Sequence, residues 1–336
     1  MRAYRYVTAD VFTDRQFGGN PLAVVLDAGG MADEEMLAVT REFNYSETTF
    51  VLPAERGGAA RVRIFTPASE IPFAGHPTVG TAHVLFASGA LRTDARETTV
   101  VLEEGIGDVR VRVAFGEGGS RELGGVEPVF AELTTARLPE ERPAPAPALL
   151  AAALGIDENE LLGGEHAPCI GSCGLPFTIV PVRDRAAVAR AHVRAEAWKA
   201  AFPVAISGRD PHDGARAFES EGVLVFALDA PEGGHPAGDG AQAVHARVFV
   251  PDLAVPEDPA TGSACAALGG YLASRAAGTG TLAWRVAQGV EMGRPSRLEV
   301  RADKGADGRV TAVRVGGSSV VVCEGTLRLR GDGRGA

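Results

Sequence analysis

His76 stands in a loop whose neighbours are suited to holding a ligand. The run R-I-F-T-P-A-S-E-I-P-F-A-G-H-P-T-V-G-T-A-H-V-L-F-A-S-G-A-L, Arg63 to Leu91, opens as a strand ending in Pro67. It turns through Gly, Pro and His76, then carries small and apolar residues at helical spacing from about Pro77 to Gly89. A helix starting on Pro77 loses nothing by the missing proline N–H. Its first-turn N–H groups point at whatever fills the loop, which makes the segment an anion cradle. A histidine merely satisfied by a nearby carbonyl fits the same loop, so the chain must supply partners.

An internal repeat supplies candidates. G-N-P-L-A-V-V (Gly19 to Val25) resembles G-L-P-F-T-I-V (Gly174 to Val180), and R-I-F-T-P (Arg63 to Pro67) resembles R-V-F-V-P (Arg247 to Pro251). H-P-T-V-G-T-A from His76 resembles D-P-A-T-G-S-A from Asp258, and S-E-T-T-F-V at Ser46 more loosely matches S-E-G-V-L-V at Ser220. Markers in one order imply two related halves, each with a helix opening from a Gly/Pro turn. Packed about a pseudo-twofold axis, the two helix starts would face one cleft, bind a carboxylate between them, and set His76 and Asp258 at equivalent places.

Other chemistries find less support. The seven histidines form no H-x-x-x-H or H-E-x-x-H, and His76, His83 and Asp258 are not at metal-ligand spacing. No G-x-x-x-x-G-K-[ST] occurs, and no G-x-G-x-x-G follows a strand. Cys169, Cys173, Cys265 and Cys323 are too sparse for a disulfide framework and read as reduced, partly buried thiols.

A length of 336 residues calls for two domains, and 45% apolar with 23% charged residues is ordinary for a globular protein. The formal charge of −10 argues against nucleic acid and anionic membrane surfaces as partners. The N-terminus alternates like a strand rather than a signal peptide, and no run of about 18 apolar residues occurs. The expected location is the cytoplasm.

Strands are expected at Tyr6 to Phe12, Ala23 to Leu26, after Asn44 up to Val51, and at Arg61 to Phe65. Thr98 to Glu104 and Asp108 to Phe115 alternate as an antiparallel hairpin. A helix is expected at Ala32 to Glu42, with Asp33, Glu34 and Glu35 at its positive end. Glu117 to Ala148 has linker composition. Beyond it, helices are expected at Leu149 to Leu162, Ala186 to Ala201 and Gly262 to Ala277. Strands are expected at Leu175 to Val182, Val223 to Leu228 and, two or three of them, Leu298 to Leu329, with a loop from Pro231 to Gly240.

Five segments together resemble the PhzF (phenazine-biosynthesis isomerase) family. They are Asp10 to Val25, N-Y-S-E-T-T-F-V-L-P (Asn44 to Pro53), Arg63 to Ala82, E-D-P-A-T-G-S-A (Glu257 to Ala264) and Q-G-V-E-M-G-R-P-S (Gln288 to Ser296). The resemblance implies an α+β, diaminopimelate-epimerase-like fold of two pseudo-symmetric domains, each a curved antiparallel sheet or barrel around a central helix. The domains would span residues 1–128 with a C-terminal strand at about 320–336, and residues 129–319.

It also implies a cofactor-independent acid/base site in the cleft and usually a homodimer. The family's general acid/base falls on Glu47, where burial would raise a carboxyl pKa from its ordinary value near 4.3 and let it both donate and accept. His76 and Asp258 match positions that orient substrate or assist the transfer. Asn20, Ser46, Gly75, Thr78, Gly262, Ser263 and Arg294 are the expected substrate- and anion-binding residues, and no metal is expected. Related epimerases place a thiol at each helix start, but here the corresponding positions read as Ala74 and Pro259, so two-base racemisation is not expected.

The reading is an isomerase that moves a proton within a small unsaturated or cyclic carboxylate through Glu47. Carbon–carbon bond hydrolysis or lyase chemistry at the same site is the competing enzymatic reading. A non-catalytic binding protein that kept the fold is the third.

Overall fold

The computed structural model describes residues 1–116, 125–203, 220–229, 240–253 and 255–330. The chain divides into two compact units, Met1–Leu133 with Ser318–Ala336, and Thr134–Gly317.

In the first unit β1 (Arg2–Val11) lies between β2 (Asn20–Val25) and the late strand β18 (Ser319–Leu329), antiparallel to both. Helix α1 (Asp33–Phe43) leads to β3 (Glu47–Leu52), which pairs parallel with β2. β4 (Ala60–Phe65) is antiparallel to β3, and the two-residue β5 (Glu70–Ile71) folds back on β4. Helix α2 (Gly75–Ala87) then crosses to β6 (Glu97–Glu104), parallel to β4 and hairpinned to β7 (Gly107–Ala114), beside which lies β8 (Phe130–Thr134).

The sheet is therefore mixed rather than wholly antiparallel as expected. A connection that passes through a helix returns its strand in the original direction, as α1 and α2 do here. All thirteen residues of α2 are buried, and the helix touches β1, β2, β3, β6, β7 and β18. A helix of small and apolar residues on every side can only be a core helix. Gly80 shows how close the fit is: a Cβ there would lie 2.5 Å from Val11 Cγ2 and 2.6 Å from Leu22 Cδ2.

The second unit repeats the plan. β9 (Glu140–Pro143) pairs with β10 (Cys169–Ser172), which pairs with β11 (Pro176–Pro181), and β12 (Val223–Leu228) lies parallel to β11. β13 (Gln242–Val250) is antiparallel to β12 and to the short β14 (Val255–Asp258). A buried helix, Gly262–Arg275, crosses to β15 (Gly280–Gln288), parallel to β13, and β16 (Ser296–Lys304) and β17 (Val310–Gly317) complete the meander.

Between β9 and β12 the expected helices are shorter than their apolar runs. α3 (Pro147–Leu154) stops at Gly155, which is left-handed at φ 62°. The Ala-rich run breaks into α4 (Arg185–Arg190) and α5 (Ala195–Ala201), so the core helix Gly262–Arg275 is α6. The break is tertiary: His192 and Arg194 donate backbone N–H to Leu154 and Ala153 of α3, at 2.9 and 2.9 Å. Arg247 Nη1 donates to the carbonyls of Ala189 and Ala191 at 3.0 and 2.6 Å.

The expected linker, Glu117 to Ala148, contains β8, β9 and the start of α3. Residues 117–124 of it, and 231–239 of the expected loop, lie outside the described residues.

The repeat has a different register from the one its motifs suggest. Arg63 lies over Phe65 and pairs with Glu70, and Arg247 lies over Phe249 and pairs with Glu257. Ile71 pairs with Ile64 on β4, and Asp258 pairs with Val248 on β13. Three residues further on come the helix N-caps, Ala74 and Thr261, and the helices begin at Gly75 and Gly262. Ser263, not Asp258, is therefore the counterpart of His76, and Thr261, not Pro259, that of Ala74. The sequence motifs align Gly80 with Gly262, two glycines of different structural role. Gly80 is a packing glycine inside a helix, whereas Gly262 opens one.

Candidate active site

Three adjacent elements of the first unit converge on one carboxyl group. Gly19, left-handed at φ 60° and so close to the chain that a Cβ would lie 2.2 Å from Val11 O, turns the backbone into β2. That places Asn20, fully buried, at the start of β2. Asn44, left-handed at φ 53°, ends α1 and sends Tyr45 and Ser46 into β3, which opens on Glu47. The parallel register of β2 and β3, Leu22 against Glu47, keeps these two strand starts side by side. The first turn of α2 adds His76, which is buried.

The hydrogen bonds have one direction. Ser46 Oγ donates to Asn20 Oδ1 at 3.1 Å, which leaves the Asn20 amide nitrogen facing His76 Nδ1 at 3.3 Å. An amide nitrogen can only donate, so Nδ1 accepts and the imidazole proton resides on Nε2. Nε2 lies 3.5 Å from Glu47 Oε2, with the Glu47 side chain 16% exposed. Burial lowers the His76 pKa to about 3, so the ring is neutral at ordinary pH. The geometry thus presents a solvent-reachable carboxyl with a fixed N–H behind it and no competing cation from the histidine.

Gly75 begins α2 beside His76, and no side chain among the described residues caps the helix. Thr78 is placed differently from the expectation of a substrate contact. It is fully buried, and its hydroxyl is engaged by Ala74 O at 2.8 Å and Glu104 Oε1 at 2.7 Å.

In the second unit Asp258, Gly262 and Ser263 gather at the start of α6, which likewise lacks a side-chain cap among the described residues. Thr261 Oγ1 donates to Asp258 Oδ2 at 2.6 Å. Gln288, fully buried at the end of β15, donates through Nε2 to the Asp258 carbonyl at 2.7 Å and accepts the Thr261 N–H at 3.2 Å. The turn after it brings the Arg294 N–H to Gly289 O at 3.0 Å, and Gly289 packs on Pro259 so closely that a Cβ would lie 2.6 Å from Pro259 O. The Arg294 turn thus packs on Pro259, just ahead of the start of α6.

Thr261 and Gln288 are polar residues whose role the sequence reading missed. The Gln in the Q-G-V-E-M-G-R-P-S segment was the available signal.

Among the described residues no group of three His, Cys, Asp or Glu is placed to hold a metal ion. Cys169, Cys173 and Cys265 are buried free thiols, and burial raises the pKa of each, to about 12 for Cys169 and Cys173. Such thiols are poor nucleophiles.

Two units that each wrap a curved sheet around a buried helix define the diaminopimelate-epimerase-like class of folds. The family described as phenazine biosynthesis-like protein matches residues 9–325, and the chain belongs to it. An uncharacterised isomerase of Mesorhizobium japonicum is 38% identical over 97% of this chain and 99% of its own length. Trans-2,3-dihydro-3-hydroxyanthranilate isomerase of Pseudomonas aeruginosa is 33% identical over 97% of this chain and 100% of its own. The crystal structure of a PhzF-family phenazine biosynthesis protein from Bacillus anthracis superposes with a TM-score of 0.79 over 98% of this chain and 100% of that one, at 24% identity.

Proposed function

We propose that this chain is an isomerase that moves a proton within a small unsaturated or cyclic carboxylate, with Glu47 as the acid/base. The observation that carries this reading is the Glu47 carboxyl 3.5 Å from a neutral His76 whose proton faces it. Membership of a family whose curated relatives are named isomerases supports it.

In the reaction Glu47 takes a proton from one carbon of the substrate, leaving the electron pair delocalised over the conjugated system. It returns a proton to another carbon, so that substrate and product have the same mass. His76 Nε2–H stabilises the carboxylate while it is charged and does not itself need to titrate. Asn20 and Ser46 hold the imidazole tautomer. Gly75, Asp258, Gly262, Ser263 and Arg294 serve in substrate binding, the uncapped helix-start N–H groups being suited to a carboxylate. The chain works without a cofactor, as a cytoplasmic homodimer.

The test uses trans-2,3-dihydro-3-hydroxyanthranilate, the compound named for the Pseudomonas relative, together with a panel of cyclic unsaturated carboxylates, in deuterated water. Turnover should give a product of unchanged skeleton carrying deuterium from solvent. Glu47→Gln should abolish it while leaving the fold intact. Near-normal turnover by Glu47→Gln, or a product that has gained water or lost a fragment, would sink the reading.

A further inference from the structure

Glu104, on the far side of the first turn of α2 from Glu47, is a buried carboxyl group with no part in the chemistry described above. It closes β6 and is 4% exposed. Among the described residues its only side-chain hydrogen bond is the one between Oε1 and Thr78 Oγ1, and Oε2, also buried, has no hydrogen-bonding partner there.

Counting hydrogens assigns its state. Thr78 Oγ1 lies 2.8 Å from Ala74 O and 2.7 Å from Glu104 Oε1, and a hydroxyl has one proton. A carbonyl oxygen can only accept. With Glu104 ionised, one of these two short contacts would set oxygen lone pairs against each other. Both are satisfied only when the Thr78 hydroxyl donates to Ala74 O and Glu104, protonated, donates to Thr78 Oγ1.

Among the described residues no nearby charge opposes this. Glu103 faces the other side of the strand and accepts the N–H groups of Glu55, Arg56 and Gly58. On the flanking strands Asp108 of β7 is tied to Arg56, and Arg61 of β4 to Glu55. On α2, His76 is engaged with Asn20 and Glu47, and His83 with Glu127. Burial accordingly raises the Glu104 pKa to about 8.

The same hairpin also grips the approach to α2. Ile106 N–H donates to Pro72 O at 2.9 Å, and Gly105 packs so closely that a Cβ would lie 2.8 Å from Pro72 Cα. The segment from Pro72 to Thr78, which carries His76, is held from behind at three points.

We propose that Glu104 is a positioning residue, kept as a neutral carboxylic acid that donates to Thr78 Oγ1 and so fixes the first turn of α2 and the placement of His76 against Glu47. The proposal rests on the functional reading above for its purpose, but not for its test. When Glu104 ionises, its proton leaves for solvent and the Thr78 hydroxyl swings to the carboxylate. The Ala74 carbonyl then loses its side-chain donor, and the turn is loosened.

The test is infrared spectroscopy combined with amide hydrogen exchange, neither of which reads turnover. The wild-type minus Glu104→Gln difference spectrum at pH 6.5 should contain the carbonyl band of a protonated carboxylic acid, which disappears by pH 10. Glu47→Gln should retain that band. At pH 7 the amides of Gly75, His76, Thr78 and Val79 should exchange in Glu104→Gln as in wild type, since the Gln amide also donates to Thr78. In Glu104→Leu they should exchange about five- to a hundredfold faster, the range expected for loss of one buried hydrogen bond. Absence of the band overturns the protonation state, and equal exchange in Glu104→Leu and wild type overturns the positioning role.

Should the Glu104 variants not fold, Thr78→Val removes the acceptor and must shift the wild-type band to higher frequency. An unshifted band overturns the hydrogen bond. Loss of the functional reading would appear separately, as an active Glu47→Gln.

Discussion

Replacing Glu104 with Gln should change the pH dependence of the N-terminal unit's stability in a way that exposes a second buried group, His76. Burial raises Glu104 from 4.5 to about 8 and lowers His76 from 6.5 to about 3. Stability changes with pH by about 1.4 kcal/mol per unit for each proton by which folded and unfolded states differ. The raised carboxyl contributes stability that is lost as pH rises from its unfolded to its folded value. The lowered histidine contributes stability that is lost as pH falls from its unfolded to its folded value.

Between pH 4.5 and 6.5 the folded state holds one proton, on Glu104, and the unfolded state holds one, on His76. The two slopes cancel, so this pair of groups adds no pH dependence to the wild-type profile in that window. From pH 6.5 to 8 only folded Glu104 remains protonated. Stability should then fall by about 2 kcal/mol. In Glu104→Gln this alkaline fall disappears. The masked histidine slope appears instead, a rise of about 3 kcal/mol from pH 4.5 to 6.5.

Both tryptophans, Trp198 and Trp284, lie in the C-terminal unit, so fluorescence would report the wrong half. The assay is amide exchange of the slowest β1 and β2 amides, converted to opening free energies at each pH. The difference between the two proteins cancels the surface carboxylates they share. Parallel profiles from pH 4.5 to 8 would refute the assignment of Glu104 as a buried neutral acid.

Arg247→Met should destabilise the C-terminal unit by about 3–5 kcal/mol, because it leaves Glu257 without the two contacts of 2.7 Å that neutralise it. The denaturation midpoint read by Trp198 and Trp284 fluorescence should fall accordingly. Gly80→Ala should cost about 1–3 kcal/mol of overpacking against Val11 and Leu22, outweighing about 1 kcal/mol of helix propensity. The check is faster exchange of α2 amides. Asn20→Leu removes the donor that fixes the His76 tautomer. It should lower kcat about five- to a hundredfold, corresponding to about 1–3 kcal/mol, with the fold retained by circular dichroism.

Composition and local pattern determined a good part of this protein. Alternation and β-branched residues located β6, β7 and β12 almost to the residue, since a strand's own pattern records which face is buried. The two all-small helices were legible because only a core helix tolerates such residues on every side. The repeated motifs announced two related halves, and His76 stood out by its Gly/Pro loop, whereas Glu47 was singled out only by the resemblance to the PhzF family.

What the sequence could not determine depended on partners distant in the chain. The Ala-rich run is locally one helix, yet it breaks because α3 carbonyls and the Arg247 guanidinium offer its backbone better-placed bonds. β8 and β9, in linker-like sequence, are strands because β7 and β10 present edges to them. The register of the repeat was hidden for the same reason, since a helix-opening glycine and a packing glycine look alike until their neighbours are known.

The chemistry of the site divides in the same way. Residue type says that His76 can hold a proton; only the Ser46–Asn20 chain of hydrogen bonds says on which nitrogen, and only burial says that the ring is neutral. Glu104, an acidic residue ending a strand, reads locally as a solvated charge. The tertiary structure makes it a neutral acid, because one threonine hydroxyl with one proton must serve two oxygens.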